Sequence, residues 1–314
     1  MIALTGGTGF LGGSLLCALV NENVRCLGRQ KPSTISDSSF YQSEINADTD
    51  FTVAVQDTDV VIHCAARVHC MDDNSSNPLE KFREVNTYGT LNLAQQAADA
   101  GVKRFIFIST IKVNGESTDL GLPFKPNDSF IPTDPYGLSK YEAEVGLRKI
   151  AIETGMEVVI IRPPLVYGPG VKANFAAMMK WVNKGIPLPL GGIKVNRRSL
   201  VSLNNLVDLI ITCIDHPNAA NQTFLVSDDD DLSTTQLLIN MGNALNVPNR
   251  LLSIPSCWFT FAAKLIGKPA ISERLCGSLQ VDISKTKELL NWHPPYSTAA
   301  CFKKTADAFL ATPT

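Results

Sequence analysis

The most constraining feature of this chain lies at its very start. A short apolar run, Ile2–Thr5, passes directly into Thr5-Gly6-Gly7-Thr8-Gly9-Phe10-Leu11-Gly12 and then into a helical pattern. Glycines here permit a tight turn and let a pyrophosphate come up against bare backbone. The helix that follows offers unpaired N–H groups and the positive end of its dipole. Strand, glycine turn and helix in this order are what a dinucleotide fold requires. Gly6, Gly9, Phe10, Leu11 and Gly12 are the residues placed to hold the ligand. The plainer reading, an ordinary glycine-rich turn, does not account for the strand before it and the helix after it.

The first half of the chain keeps this rhythm. Apolar runs at Val24–Leu27, Asp59–His63, Arg104–Ser109 and Glu157–Arg162 read as strands, and helical patterns fill Phe10–Val20, Pro78–Ala100 and Pro135–Thr154. Such alternation, with Ile/Val-rich strands, predicts a parallel sheet covered on both faces: a Rossmann-type, doubly wound α/β fold. After Arg162, prolines and glycines loosen the pattern. One strand is expected at Thr223–Ser227, and helices near Leu203–Asp215 and Ser233–Leu245. The expected organisation is a dinucleotide-binding core over 1–166, joined by returning segments at about 195–230. A smaller substrate-binding portion comes from 167–194 and 231–314. A chain of 314 residues buries a core of this size without staples.

Composition removes several function classes. With 28 basic and 30 acidic residues, a net charge of −2, the chain carries no footprint of a nucleic-acid or membrane-surface binder. A hydrophobic share of 45% against 18% charged excludes disorder. The eight cysteines form no C-x-x-C pair and the four histidines stand at no ligand spacing, so no metal site is expected. Free thiols, the lack of a signal-peptide pattern and the lack of a bilayer-length apolar run point to the cytoplasm.

The second strand ends Leu27-Gly28-Arg29. NAD sites usually place a carboxylate here, on the ribose 2′-hydroxyl. Gly28 repels nothing, and the Arg29 guanidinium can pair with a 2′-phosphate. NADP is therefore favoured within an NAD(P) site. If Arg29 is only a solvated surface arginine, NAD is the cofactor.

Two further segments carry chemistry. In Tyr136-Gly137-Leu138-Ser139-Lys140, Tyr136 and Lys140 are four apart on one helical face. An ammonium beside a phenol stabilises the phenolate, which can then exchange a proton with a sugar hydroxyl. The strand Phe105–Ile108 ends in two hydroxyls, Ser109 and Thr110, at the edge where open α/β sheets bind ligands. One of them can hydrogen-bond the reacting oxygen. For Ser109 a simple turn-stabilising role is an equal alternative.

These motifs in this order resemble the extended short-chain dehydrogenase/reductases, in the NAD-dependent nucleotide-sugar epimerase/dehydratase group. The resemblance rests on Gly6-x-x-Gly9-x-x-Gly12, His63-Cys64-Ala65-Ala66, Asn86, Thr110, Tyr136/Lys140 and Arg162-Pro163. Towards the C-terminus it rests on Arg198–Leu206, Asp282–Lys285 and Leu290–Pro294. It covers nearly the whole chain. It implies that Thr110, five residues before Gly115, is the catalytic hydroxyl, Tyr136 the acid-base and Lys140 its ribose-binding partner. It further implies that Asn86 organises the site. Ala65, Ala66 and Pro163 would line the cofactor. Ser109, Asn174, Arg198 and Arg274 would meet a nucleotide-sugar substrate. By their place after the Ala65-Ala66 turn, Arg67 and His69 could reach the sugar, although a lone histidine there more often makes a local loop hydrogen bond. A homodimer built on the helices at 78–100 and 135–154 is implied as well.

Departures from the family pattern narrow the reaction. Dehydratases carry an Asp-Glu pair after the catalytic threonine. Here Ile111 and Lys112 stand there, so elimination of water lacks its acid and base. Asn114 replaces a site-lining tyrosine, Leu165 replaces a diphosphate-binding asparagine, and Leu279 falls where N-acetyl acceptance is set. Two reactions stay open. One is 4-epimerisation of a UDP-hexose such as UDP-glucose or UDP-N-acetylglucosamine. The other is NADPH-dependent reduction of a 4-keto nucleotide sugar, which Gly28-Arg29 favours; the full-length epimerase-like C-terminal segments favour the first, which is the reading adopted. A non-catalytic NADP-binding sensor is a weaker third, since Thr110, Tyr136 and Lys140 are all present.

Overall fold

The computed structural model describes residues 1–68, 77–128, 130–255, 258, 273 and 275–311. Seven parallel strands form the central sheet: β1 (Ile2–Thr5), β2 (Val24–Gly28), β3 (Phe40–Gln42), β4 (Val60–His63), β5 (Arg104–Ile108), β6 (Glu157–Arg162) and β9 (Thr223–Leu225). Their spatial order is β3-β2-β1-β4-β5-β6-β9. The chain builds outward from β1 in one direction and then resumes at β4 on the other side. The crevice between the carboxyl ends of β1 and β4 is therefore the switch point at which doubly wound sheets bind ligands.

The strands are buried because both faces are covered. Alternate residues separate cleanly by period two. Ile2, Leu4, Ile62 and Ile106 join Leu15 and Leu16 of helix α1 (Phe10–Ala18) and Leu206 and Leu209 of α7 (Leu203–Asp215). Ala3, Val61, Phe105 and Phe107 turn the other way. They meet Leu93 and Ala94 of α4 (Thr90–Asp99) and Ala143 and Leu147 of α5 (Pro135–Thr154).

The helical pattern expected over 78–100 is not one regular helix. It divides into α3 (Pro78–Arg83), a π-helical turn over Glu84–Gly89, and α4. The wide turn ends at Gly89, where a Cβ would lie 2.8 Å from the backbone of Ile45 and Asn46, so the helix passes directly against that loop. Two elements escaped the sequence reading in the core. A four-residue helix α2 (Thr52–Val55) and strand β3 are too short to show a period.

Beyond Arg162, β7 (Leu165–Tyr167) pairs with β8 (Leu200–Ser202) in a separate two-stranded parallel sheet. Helix α9 (Ser284–Leu290) returns to pack on β9, with Leu290 in the core cluster of the central sheet, while α6 (Ala173–Asn183), α8 (Thr234–Leu245) and α10 (Thr298–Ala311) complete the two-stranded region. Its core is aromatic: Tyr167, Phe175 and Phe302 stack within 6.0 Å of one another, with Leu238 and Met241 of α8 in the same cluster. Among the described residues, no helix is long and apolar enough to cross a membrane.

Candidate active site

The glycine loop leaves β1 with Gly6 in the left-handed region at φ +75°. A Cβ there would lie 2.8 Å from the Ala65 nitrogen, and one at Gly12 would lie 2.2 Å from the Gly6 carbonyl oxygen. The Gly9 N–H donates to Gly6 O at 2.8 Å, folding the loop onto itself. Gly9 also N-caps α1, and no side chain closes this helix end. The first-turn N–H groups, on Phe10, Leu11 and Gly12, thus remain as donors for an anion. Bare backbone, a left-handed turn and an uncapped helix together fit a dinucleotide pyrophosphate. Ala65 and Ala66 follow β4 directly across the crevice, both half-buried.

A buried hydrogen-bond chain fixes this crevice. The Ala65 N–H donates to Thr5 Oγ1 at 3.1 Å, and Thr5 Oγ1 lies 2.8 Å from His63 Nδ1. His63 Nε2 lies 3.0 Å from Thr90 Oγ1. Each ring nitrogen of His63 thus faces a hydroxyl able to donate or accept, so either neutral tautomer is fully hydrogen-bonded. Burial, reinforced by the Lys140 charge, pulls His63 down to about 3 and keeps it uncharged. His63 is a strut and does not reach a substrate.

Tyr136 and Lys140 lie in the first turns of α5, whose N-cap is Asp134 and whose first position is Pro135. The fully buried Lys140 donates to the Ile108 carbonyl at 2.9 Å and sits 4.3 Å from the centre of the Phe107 ring. The helix is thereby bound to the carboxyl end of β5. Tyr136 is half-buried with its ring edge-on to Phe82 at 6.0 Å. Burial raises its phenol to about 12, with the Asp134 carboxylate adding to the effect. Burial pulls the Lys140 ammonium down to about 7, against the opposing pull of Cys64 and Glu144.

Thr110 is the second residue past β5 and is half-buried, its Oγ1 accepting the Lys112 N–H at 3.3 Å. Ser109 is different. It is buried, and its hydroxyl donates to Glu144 at 2.6 Å. Of the two hydroxyls, Thr110 has the more open position. Asn86 is fully buried in the π-helical turn. It accepts from the Arg67 N–H at 2.8 Å, and it donates to the Arg67 carbonyl and to Ser139 Oγ, both at 3.0 Å. A π turn spends one extra residue to aim a side chain, and here it ties the segment after β4 to α5.

The remaining candidates are spread over the neighbouring loops. Pro163 follows β6, and its carbonyl accepts the Ile111 N–H at 3.0 Å. Arg29 is exposed just past β2, beside Gly28, where a Cβ would meet nothing within 4 Å. Arg67 is half-buried, its guanidinium 6.0 Å from the Phe82 ring centre. Asn174 is exposed in the first turn of α6. Arg198 is half-buried and donates to the Gly277 carbonyl at 3.1 Å. Arg274 and His69 lie outside the described residues.

The structure adds residues that motif reading passed over. Glu144, one turn beyond Lys140, is fully buried and accepts from Arg162 Nε at 2.9 Å and Nη2 at 2.6 Å. Arg162 also donates to Asn114 Oδ1 at 2.9 Å. Burial alone would raise the Glu144 carboxyl. The Arg162, Ser109 and Arg148 contacts overcome it and hold the group below its ordinary value. The i, i+4 spacing from Lys140 was the available sequence signal for Glu144. Asn114, expected as a lost cleft aromatic, is buried in this network, with its Nδ2 donating to the Lys125 carbonyl at 2.7 Å. Leu279 is likewise buried, in one apolar cluster with Ile111, Leu225 and Val281.

Sequence and structure comparisons place these features among known proteins. The sequence model of the NAD dependent epimerase/dehydratase family matches residues 2–227. The chain is 55% identical over 312 residues to a UDP-glucose 4-epimerase of Vibrio cholerae, covering 98% of this chain and 95% of that protein. It is 27% identical over 304 residues to an undecaprenol-linked N-acetylglucosaminyl 4-epimerase of Escherichia coli O157:H7, covering 90% and 88%. Among solved structures, the UDP-glucose 4-epimerase of Thermotoga maritima with UDP-glucose superposes with a TM-score of 0.79 at 22% identity, covering 98% of both chains. With its glycine cradle, its Tyr136/Lys140 helix and a full-length relative at this identity, the chain belongs to the NAD dependent epimerase/dehydratase family and is an enzyme of the extended short-chain dehydrogenase/reductase type.

Proposed function

We propose that the protein is a nucleotide-sugar epimerase acting at carbon 4 of a UDP-hexose of the UDP-glucose or UDP-N-acetylglucosamine type. The observation that carries this reading is the 55% identity over nearly the full length to the Vibrio cholerae UDP-glucose 4-epimerase. When bound, the nicotinamide supplies a carrier that takes one hydride from carbon 4 and returns it. Tyr136 takes the proton of the 4-hydroxyl, and Thr110 orients that oxygen by a hydrogen bond. Lys140, one turn from Tyr136 and fixed to the Ile108 carbonyl, holds the cofactor ribose; the lowering of the Tyr136 phenol expected from its ammonium is outweighed in this structure by burial and Asp134, which raise it. Asn86 keeps the segment carrying Ala65 and Arg67 against α5. The ketone so formed turns over within the cleft, and Tyr136 returns its proton after hydride has come back to the opposite face. Bonds and electrons balance within one substrate, so no reductant is consumed. Arg198, Arg67 and Asn174 meet the diphosphate and nucleotide. Ser109, expected at the substrate, is buried with its hydroxyl given to Glu144, and so is assigned a structural role beside Thr110.

A second reading, NADPH-dependent reduction of a 4-keto nucleotide sugar, draws support from Arg29. The exposed guanidinium beside the open space at Gly28 suits a 2′-phosphate. The dimer is expected to form through the α3–α4 and α5 faces, where Tyr88, Val145 and Ile152 are exposed, and the enzyme to work in the cytoplasm. The test is incubation of purified protein with UDP-glucose and no added nucleotide. UDP-galactose is the expected product, and Tyr136→Phe lowers the rate roughly 10²–10⁴-fold while cofactor binding persists. Activity seen only on a 4-keto sugar with stoichiometric NADPH replaces the epimerase by the reductase.

A further inference from the structure

Lys112 stands where a dehydratase would carry an acid, and the structure gives it a different partner. Its Nζ lies 3.0 Å from Asp134 Oδ1 and 3.1 Å from Glu116 Oε1. Asp134 is the N-cap of α5, its Oδ1 accepting the Gly137 N–H at 3.1 Å. The carboxylate sits so close to the first turn that a Cβ on Gly137 would come 2.5 Å from its Oδ2. At its other end, Lys112 gives its own N–H to Thr110 Oγ1. One ion pair thus joins the turn that carries Thr110 to the helix end that carries Tyr136, two residues past Asp134.

We propose that the Lys112–Asp134 ion pair positions Thr110 against Tyr136 and sets the charge in which Tyr136 ionises. Resting on Tyr136 as the acid-base group, the inference assigns two positioning residues that do not touch substrate. Asp134 is a fixed negative charge beside a phenol that must become an anion, and by itself it opposes that ionisation. The Lys112 ammonium, 3.0 Å from Asp134, offsets part of that charge. Among the described residues, the other charges around Tyr136 are disposed differently. Lys140 lies one turn along the same helix and is bound to Ile108 O. Arg83 of α3 is paired to Glu142 of α5. Arg67 approaches from the segment after β4, over the intervening Phe82 ring. Glu116 reaches Tyr136 only through Lys112. Lys140, Arg83 and Arg67 keep their partners when the pair is changed, while Lys112→Met also strips Glu116 of its ammonium and so adds to the negative charge left on that side.

The experiment compares kcat against pH, at saturating UDP-glucose, for wild type, Lys112→Met, Asp134→Ser and the double variant. Serine keeps an N-capping oxygen while removing the charge. The phenolate is the competent form, so the acid limb follows Tyr136. Lys112→Met leaves Asp134 uncompensated and moves the limb up by about 0.5–1 pH unit. Asp134→Ser moves it down by a similar amount. The double variant and Lys112→Arg return it close to wild type. A purely structural pair lowers kcat in both single variants without moving the limb, and limbs that stay put or move the same way overturn the proposal. Lack of wild-type turnover on UDP-glucose rejects the functional reading alone. Ultraviolet difference titration of tyrosinate, each background minus its Tyr136→Phe counterpart with NAD added, then decides the inference. The order Asp134→Ser below wild type below Lys112→Met supports it, and any other order rejects it.

Discussion

Replacing Arg162 by methionine tests what holds the centre of the site together. The Glu144 side chain is fully buried and accepts four hydrogen bonds, two from Arg162, one from Ser109 and one from Arg148. Arg162→Met removes both charge-assisted bonds to Glu144 at once, together with those to Asn114 and the Pro126 carbonyl, while its shorter unbranched side chain keeps the apolar stem. Arg148 remains, but its side chain is 44% exposed and such a pair is worth at most about 1 kcal/mol. Breaking a buried pair from one side costs about 3–5 kcal/mol, because the other charge is left without compensation. At an m-value of roughly 3 kcal/mol/M, the urea midpoint falls by about 1 M or more. The double variant Arg162→Met/Glu144→Leu, with no charge left to bury, recovers most of that loss.

The pH dependence carries a definite sign. In the wild type the folded Glu144 value lies below its ordinary 4.5. The stabilisation from the pair is therefore present above about pH 4.5 and is lost as pH falls through the folded value. Without Arg162 the burial effect dominates and Glu144 takes up a proton more readily. The deficit of Arg162→Met is thus full near neutrality and shrinks in mild acid. A midpoint change equivalent to less than about 1 kcal/mol would refute the reasoning. So would a double variant as unstable as the single, or a deficit that grows towards acid.

Three other outcomes are expected. His63 is held neutral in the fold at about 3 and titrates at its ordinary 6.5 when unfolded. Stability therefore falls as pH drops below about 6.5, by up to about 1.4 kcal/mol per pH unit, and His63→Gln flattens that slope in urea titrations. An unchanged slope contradicts the neutral strut. Gly12→Ala forces a Cβ to within 2.2 Å of the Gly6 carbonyl, so NAD affinity by calorimetry falls at least about tenfold in a protein with unaltered circular dichroism; wild-type affinity would remove the loop from the cofactor site. Arg29→Asp shifts the ratio of NADP to NAD affinity about 10–100-fold towards NAD, and a constant ratio makes Arg29 a solvated surface residue.

The parts of the fold that repeat were readable in advance. β1, β6, α5 and α7 begin and end at the expected residues, because glycine turns, a proline-led N-terminus and apolar periods mark them. The helix predicted at 78–100 fails at Glu84–Gly89. A π turn leaves the apolar period nearly intact, and the contacts it makes, Gly89 against Ile45 and Asn46 and Asn86 against Arg67 and Ser139, are with segments distant in sequence. β3 has only three residues, half-buried or exposed, and so carries no pattern. At the site, Tyr136, Lys140 and Thr110 announce themselves by spacing and position. The pairings of Glu144 with Arg162 and of Lys112 with Asp134 do not, since a buried ion pair or an inter-loop pair exists only once distant segments meet. Ser109 shows the same limit: its neighbour Thr110 and it are alike as sequence, and only the fold commits its hydroxyl to Glu144.

The central claim is that hydride leaves carbon 4 and returns to the same carbon of the same molecule. UDP-glucose carrying deuterium at carbon 4, incubated with the purified protein and no added nucleotide, tests it directly. Mass and NMR analysis should find the deuterium fully retained at carbon 4 of the UDP-galactose formed. Loss of the label to solvent, its appearance in free reduced nucleotide, or the absence of any UDP-galactose would contradict the account.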